Sequence, residues 1–140
     1  MESLDDNWPT KPSNYSLKMP IGRGSYGLVW NAVCTCDNNK HNGSEVAVKI
    51  VNMEMFADGN LDEIRKEIKI MSQNRHQSVI SYYASFEDDS DLWMVMPLLN
   101  AGSVEDILER NFPQGVKDEK VIATILKDIV AALDYFHQHD

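Results

Sequence analysis

Cysteine is scarce in this chain of 140 residues: only Cys34 and Cys36 carry thiols. Two are too few for a disulfide framework and, one residue apart, too close for an easy bridge within one strand. They read as reduced core or strand residues, with zinc ligation as the alternative. Long apolar runs are missing as well. None approaches the roughly 18 uninterrupted apolar residues of a membrane-spanning helix, and Met1 to Asn14 has no basic-then-apolar leader pattern. The expectation is a cytoplasmic or nuclear protein with no membrane span. Basic charge is also in short supply, 13 residues against 22 acidic ones, for a net charge of −9. That balance disfavours unspecific attraction to nucleic acid or to an anionic membrane surface. What is present is ordinary for a globular chain, 43% apolar and 25% charged, at a length that fits one domain.

Residues 1–14 are polar, hold Pro9 and Pro12, and show no period, so they read as an arm that Trp8 would dock. From Tyr15 the alternation Tyr15, Leu17, Met19, Ile21 predicts a half-buried strand running into Gly22, and Pro20 confines it to a sheet edge. Leu28 to Cys34 and Val46 to Val51 predict two further strands, with the turn-rich stretch Asp37 to Ser44 between them, and the three suggest an antiparallel meander. Asn60 with Glu63 forms a capping box ahead of a helix to about Ser72, carried by Leu61, Ile64, Ile68 and Met71. Ser78 to Phe86 and Leu92 to Met96 predict strands across the acidic turn Glu87 to Asp91. A second capping box, Ser103 to Asp106, opens a short helix to about Arg110. Lys117 to His139 then reads as a long helix with Val121, Ile122, Ile125, Ile129, Leu133 and Phe136 along one face. The fold class is α+β: a five-stranded antiparallel sheet with one inserted helix, then further helices.

Two motifs carry chemistry. Gly22, Arg23, Gly24, Ser25, Tyr26, Gly27, Leu28 and Val29 form a G-x-G-x-x-G-x-V run, whose glycines let main-chain N–H groups approach phosphate oxygens. A dinucleotide-binding fold uses similar glycines but needs a buried parallel strand before them and a helix straight after, whereas the residues after Gly27 favour a strand. A wide hairpin turn with no ligand is the other alternative. The second motif is Val46-Ala47-Val48-Lys49-Ile50, a lysine within an apolar strand. A buried ammonium needs a partner. Glu67, at the margin of the apolar stripe between Ile64 and Met71, is the candidate, and a rim charge is its alternative reading.

Together these residues resemble the eukaryotic protein kinases, whose signature sets a glycine loop, a V-A-I-K lysine and a helix glutamate in this order. Val46 to Lys49 differs from that lysine motif only by Val48. His76-Gln77-Ser78-Val79-Ile80 is similar to the family's H-P-N-I-V segment, with Gln77 and Ser78 as departures. The stretches Met71 to Gln73, Ser81 to Phe86, Leu92 to Met96, Gly102 to Leu108 and Ile122 to Leu126 resemble the sterile-twenty-like, germinal-centre group of serine/threonine kinases. Within it they resemble the oxidative-stress-responsive and proline-alanine-rich branch.

The resemblance begins after the arm of residues 1–14 and implies a kinase N-lobe over 15–97 and a hinge with the start of a C-lobe over 98–140. It implies ATP as cofactor, held by the glycine loop and Lys49 with Glu67 as the lysine's partner. Ile21, Val29 and Ala47 would enclose adenine, Met96 would be the gatekeeper, Pro97, Leu98 and Leu99 the hinge, and Ser103 would lie near the ribose. Met71 would join the apolar spine. Leu133-Asp134-Tyr135-Phe136-His137 looks like the helix close that precedes H-R-D-x-x-x-x-N, which the 140 residues do not contain, nor do they contain D-F-G. The base aspartate and the ligands of Mg2+ are therefore expected elsewhere, and the chain alone is expected to be a catalytically inert part of a kinase. The apolar face of Val121 to Phe136 would then be left open to self-association or fraying. The branch further implies protein substrates among ion cotransporters and an upstream with-no-lysine kinase as partner. A non-catalytic nucleotide- or partner-binding regulatory module is the alternative function, and a dinucleotide-dependent oxidoreductase a third.

Overall fold

A computed structural model describes residues 7–24, 27–56, 66 and 76–139. The chain forms two compact units, one from Met1–Asn74 with Ser81–Leu98, the other from Arg75–Ile80 with Leu99–Asp140. The first holds a five-stranded antiparallel sheet: β1 (Tyr15–Gly24), β2 (Gly27–Cys34), β3 (Glu45–Asn52), β4 (Ala84–Asp88) and β5 (Asp91–Pro97). The strand order is β1-β2-β3-β5-β4, so the expected meander is present and β1 is an edge strand. Pro20, which has no N–H to donate, sits on that edge beside a register shift between Pro20 and Gly22.

Alternation gives β3 two different faces. Val46 and Val48 are fully buried in a cluster with Trp8, Tyr15, Ala32, Cys34 and Val95, and Ile50, Phe86 and Trp93 pack against it. Ala47, Lys49 and Val51 point the other way, and their register partners on β5 are Met96, Met94 and Leu92. All but Lys49 of these six are buried. Burying each large aliphatic side chain contributes roughly 1.5 to 3 kcal/mol, so β3, apolar on both faces, is the strand that pays least to be central.

The arm is not a bare linker. Trp8 is only 8% exposed, and a short 3-10 turn over Pro12–Asn14 leads into β1. The Tyr15 hydroxyl donates to the Pro9 carbonyl at 2.6 Å and Asn39 Nδ2 to the Asn7 carbonyl at 2.9 Å. Burial pushes the Tyr15 phenol well above its ordinary pKa, and the nearby Cys34 and Cys36 push the same way.

One predicted strand is shorter than expected. Ser78 to Tyr83 is not extended pairing structure, and β4 begins only at Ala84. His76 Nδ1 accepts the Ser78 N–H at 3.2 Å and the His76 carbonyl accepts the Val79 N–H at 3.0 Å, closing a turn. These local bonds use backbone groups that a ladder would need. The acidic tip of the β4–β5 hairpin is narrow: Asp88 pairs with Asp91, and Asp89 takes a left-handed φ of 50°. Of the predicted helix over 61–72 only Lys66 is described, and it is helical; Glu67 and Met71 lie outside the described residues.

In the second unit, α1 (Val104–Asn111) starts at the predicted capping box. The Asp106 N–H donates to Ser103 Oγ at 3.0 Å, and the Ser103 N–H donates to Asp106 Oδ2 at 2.7 Å. α2 (Glu119–His139) starts two residues later than predicted, because Asp118 Oδ1 accepts the Lys120 N–H at 2.9 Å from outside the helix. An apolar hollow of about 330 Å³ lies between the two helices, lined by Val104, Leu108, Val116, Ile122, Ile125 and Leu126 among others. His76 packs its ring 5.3 Å from Tyr135.

Candidate nucleotide site

The glycine run folds as a hairpin, with Gly22 opposite Val29, Arg23 opposite Leu28 and Gly24 opposite Gly27. A strand, β2, follows it where a dinucleotide-binding fold requires a helix, which overturns that alternative and the oxidoreductase reading built on it. Ser25 and Tyr26 lie outside the described residues. Gly22, Arg23 and Gly24 are exposed, and Ile21 and Leu28 are exposed at 46% and 37%.

The sheet brings this loop to the lysine strand. Val29 on β2 is the register partner of Lys49 on β3, so both side chains rise from the same face. A Cβ placed on Gly24 would stand 3.8 Å from the Lys49 Cε, which measures how closely the loop backbone passes the lysine stem. Ala47, 5% exposed, pairs with Met96, 8% exposed, and continues the same face towards Pro97 and Leu98, both half-buried. Ile21, Gly22, Gly24, Gly27, Val29, Ala47, Lys49 and Met96 are thus held by one sheet. Leu99, 71% exposed, and the exposed N-cap residue Ser103 belong to the second unit.

Gly27 has a role that motif reading missed. A Cβ there would overlap the Ile50 carbonyl oxygen and lie 3.2 Å from the Ile50 carbonyl carbon. The third glycine of the run is therefore needed inside the protein, to let β2 start hard against the end of β3. The only sequence signal was its place in the motif, and nothing along the chain pointed to Ile50.

The arrangement fits a nucleotide. It offers a glycine backbone for phosphate oxygens, an ammonium beside it for their charge, and apolar side chains of Val29, Ala47 and Met96 on the same sheet face for a base. For a metal ion there is no such fit: among the described residues no group of three or more His, Cys, Asp or Glu is placed to hold one. The described helices also include none long and apolar enough to cross a membrane.

This fold and loop define a class, and the chain belongs to the protein kinase domain family, whose model matches residues 15–140. Among its curated relatives is "Serine/threonine-protein kinase fray2" of Dictyostelium discoideum, 43% identical over 132 residues, 94% of this chain and 12% of that protein. Another is "Germinal center kinase 3" of Caenorhabditis elegans, 43% identical over 140 aligned residues, 94% of this chain and 22% of that protein. "Serine/threonine-protein kinase fray1" of Dictyostelium discoideum is 35% identical over 133 residues, 95% of this chain and 22% of that protein. The resemblance to serine/threonine kinases of the germinal-centre group is borne out by these relatives. The chain spans about an eighth to a fifth of their length.

Proposed function

We propose that this chain is the ATP-gripping part of a serine/threonine protein kinase, in which the γ-phosphate of ATP passes to a protein hydroxyl. The observation that carries the reading is the placement of Lys49 on the central strand, opposite Val29 and under Gly24. An ammonium held there neutralises phosphate charge and fixes the nucleotide's orientation. The glycine backbone donates hydrogen bonds to phosphate oxygens, and Ile21, Val29 and Ala47 enclose the base, with Met96 behind it. Pro97, Leu98 and Leu99 form the hinge, where the Pro97 carbonyl is available to the adenine amine, and Ser103 lies near the ribose. Glu67 is the partner of Lys49 in this reading.

ATP supplies the phosphoryl group, and the residues of this chain bind and orient it. No residue here is assigned as general base or as a ligand of Mg2+, so the 140-residue chain by itself binds nucleotide without transferring phosphate. Cytoplasmic residence, a protein substrate and an upstream kinase belong to the same reading of the whole protein. Titration with a fluorescent ATP analogue tests it. Saturable binding that Lys49→Met weakens at least about tenfold, with no phosphate transferred to a generic protein substrate, is expected. Equal affinity in Lys49→Met, or transfer by the purified chain, would refute the respective part.

A further inference from the structure

The sheet face turned away from Lys49 carries a feature that nucleotide binding does not use. Trp8 stacks between two rings brought from distant parts of the chain: His41, with centroids 3.8 Å apart and planes 11° from parallel, and Tyr83, at 4.4 Å and 6°. His41 lies in the turn between β2 and β3, and Tyr83 lies just before β4, where its N–H donates to the Val95 carbonyl at 2.8 Å. Trp8 is thus the middle of a three-ring sandwich that ties the two loops together. It also belongs to the buried cluster with Val48 and Val95. Val48 sits between Ala47 and Lys49, and Val95 between Met94 and Met96, so the back wall of the candidate site is the ground on which Trp8 stands.

The way the arm is held suits it to detach as a unit. Its described attachments are the ring sandwich, the Asn39 and Tyr15 hydrogen bonds at Asn7 and Pro9, and the Thr35 N–H to Asn14 carbonyl bond at 2.8 Å. Pro9 and Pro12 restrict the free arm and reduce the entropy lost on docking. One detail opposes docking. The Trp8 indole N–H is buried with no acceptor among the described residues, so seating the ring sacrifices the hydrogen bond that this group makes to water.

We propose that Asn7 to Asn14 is a releasable strap, whose docking through Trp8 sets the nucleotide affinity of the opposite sheet face. The docked strap holds β3 and β5 in the register that seats Lys49 and Met96, and its release loosens both. By linkage, nucleotide must in turn stabilise the docked strap. The strap requires a ring at position 8 and does not require the N–H, so phenylalanine should serve there and alanine should not.

The inference rests on the nucleotide reading, and the experiment separates the two. Affinity for a fluorescent ATP analogue is measured for the full chain, Trp8→Phe and Trp8→Ala, with hydrogen exchange of residues 7–14 followed in the wild-type chain with and without nucleotide. The expected result is near-normal affinity for Trp8→Phe, a loss of at least about fivefold for Trp8→Ala, and slower exchange of the wild-type strap at saturating nucleotide. Should Trp8→Ala fail to fold, the wild-type exchange decides alone. Strap exchange indifferent to bound nucleotide, or wild-type affinity in a folded Trp8→Ala, overturns the coupling and leaves the nucleotide reading standing. A wild-type chain that binds no nucleotide overturns both.

Discussion

At the scale of single residues, Gly27 and Tyr15 show how one atom decides. Gly27→Ala drives a methyl group into the Ile50 carbonyl, which neither strand can yield without losing ladder bonds. A loss of about 1 to 3 kcal/mol in denaturant unfolding is expected, with weaker nucleotide binding. Gly43→Ala, where a Cβ meets nothing within 4 Å, should lose stability for a different reason, the φ of 83° that alanine adopts only with strain. Tyr15 predicts an alkaline transition. The folded state holds the phenol proton more tightly than the unfolded chain does, because burial disfavours phenolate and the proton makes the bond to the Pro9 carbonyl. The stabilisation is therefore complete below the ordinary phenol range and is lost as pH rises through that range towards the raised value. Unfolding midpoints measured from neutral to strongly alkaline pH should fall more steeply for the wild-type chain than for Tyr15→Phe.

Among the elements, α1 is the one whose start was written most plainly in the chain. Ser103 and Asp106 cap each other as their spacing predicts, and the bonds from Ser103 hold the Asp106 carboxyl below its usual range, aided slightly by Arg110. A depressed carboxyl contributes stability above its unfolded pKa and loses it as pH falls through the folded value. Helicity of α1, read by NMR shifts, should thus decline in strong acid, and Ser103→Ala should lower it already at neutral pH.

The five strands and the long helix were legible for the same reason: period and capping are local properties. β4 misled because Ser78 to Phe86 is rich in β-branched and aromatic residues (Val79, Ile80, Tyr82, Tyr83, Phe86), yet His76 turns the chain back on itself before Ala84. The docking of Trp8 was a reasonable guess from one large ring in a polar arm. Its partners His41 and Tyr83 were not legible, since ring stacking leaves no period and joins positions far apart in sequence. The face of β3 that carries Lys49 followed from alternation, but the approach of Gly24 to that lysine required the fold.

At the scale of the whole molecule, the two compact units differ in how much apolar surface they hide. The sheet unit buries its β3 and β5 side chains, whereas α2 leaves Leu126, Ile129, Val130 and Leu133 roughly half exposed, at 52%, 48%, 60% and 49%. A contiguous stripe of this kind attracts apolar dyes and other apolar surfaces. The chain is expected to bind ANS, and Ile129→Glu with Leu133→Glu should reduce its fluorescence while nucleotide affinity stays unchanged. Unaltered dye fluorescence in the double variant would place the exposed surface elsewhere.

The place of β3 in the sheet also sets a timetable for folding. Its pairing with β2 closes only the short turn through Asn38 and Gly43, but its pairing with β5, from Val46↔Pro97 to Asn52↔Asp91, must first gather everything between those strands. Short loops close cheaply and quickly, and distant partners meet late. The hairpins β1–β2–β3 and β4–β5 can therefore form as separate early pieces. The last step to complete the sheet is the zipping of β3 against β5, which sets Lys49 opposite Met94 and Ala47 opposite Met96, so the nucleotide-facing floor is the latest part of this unit to exist.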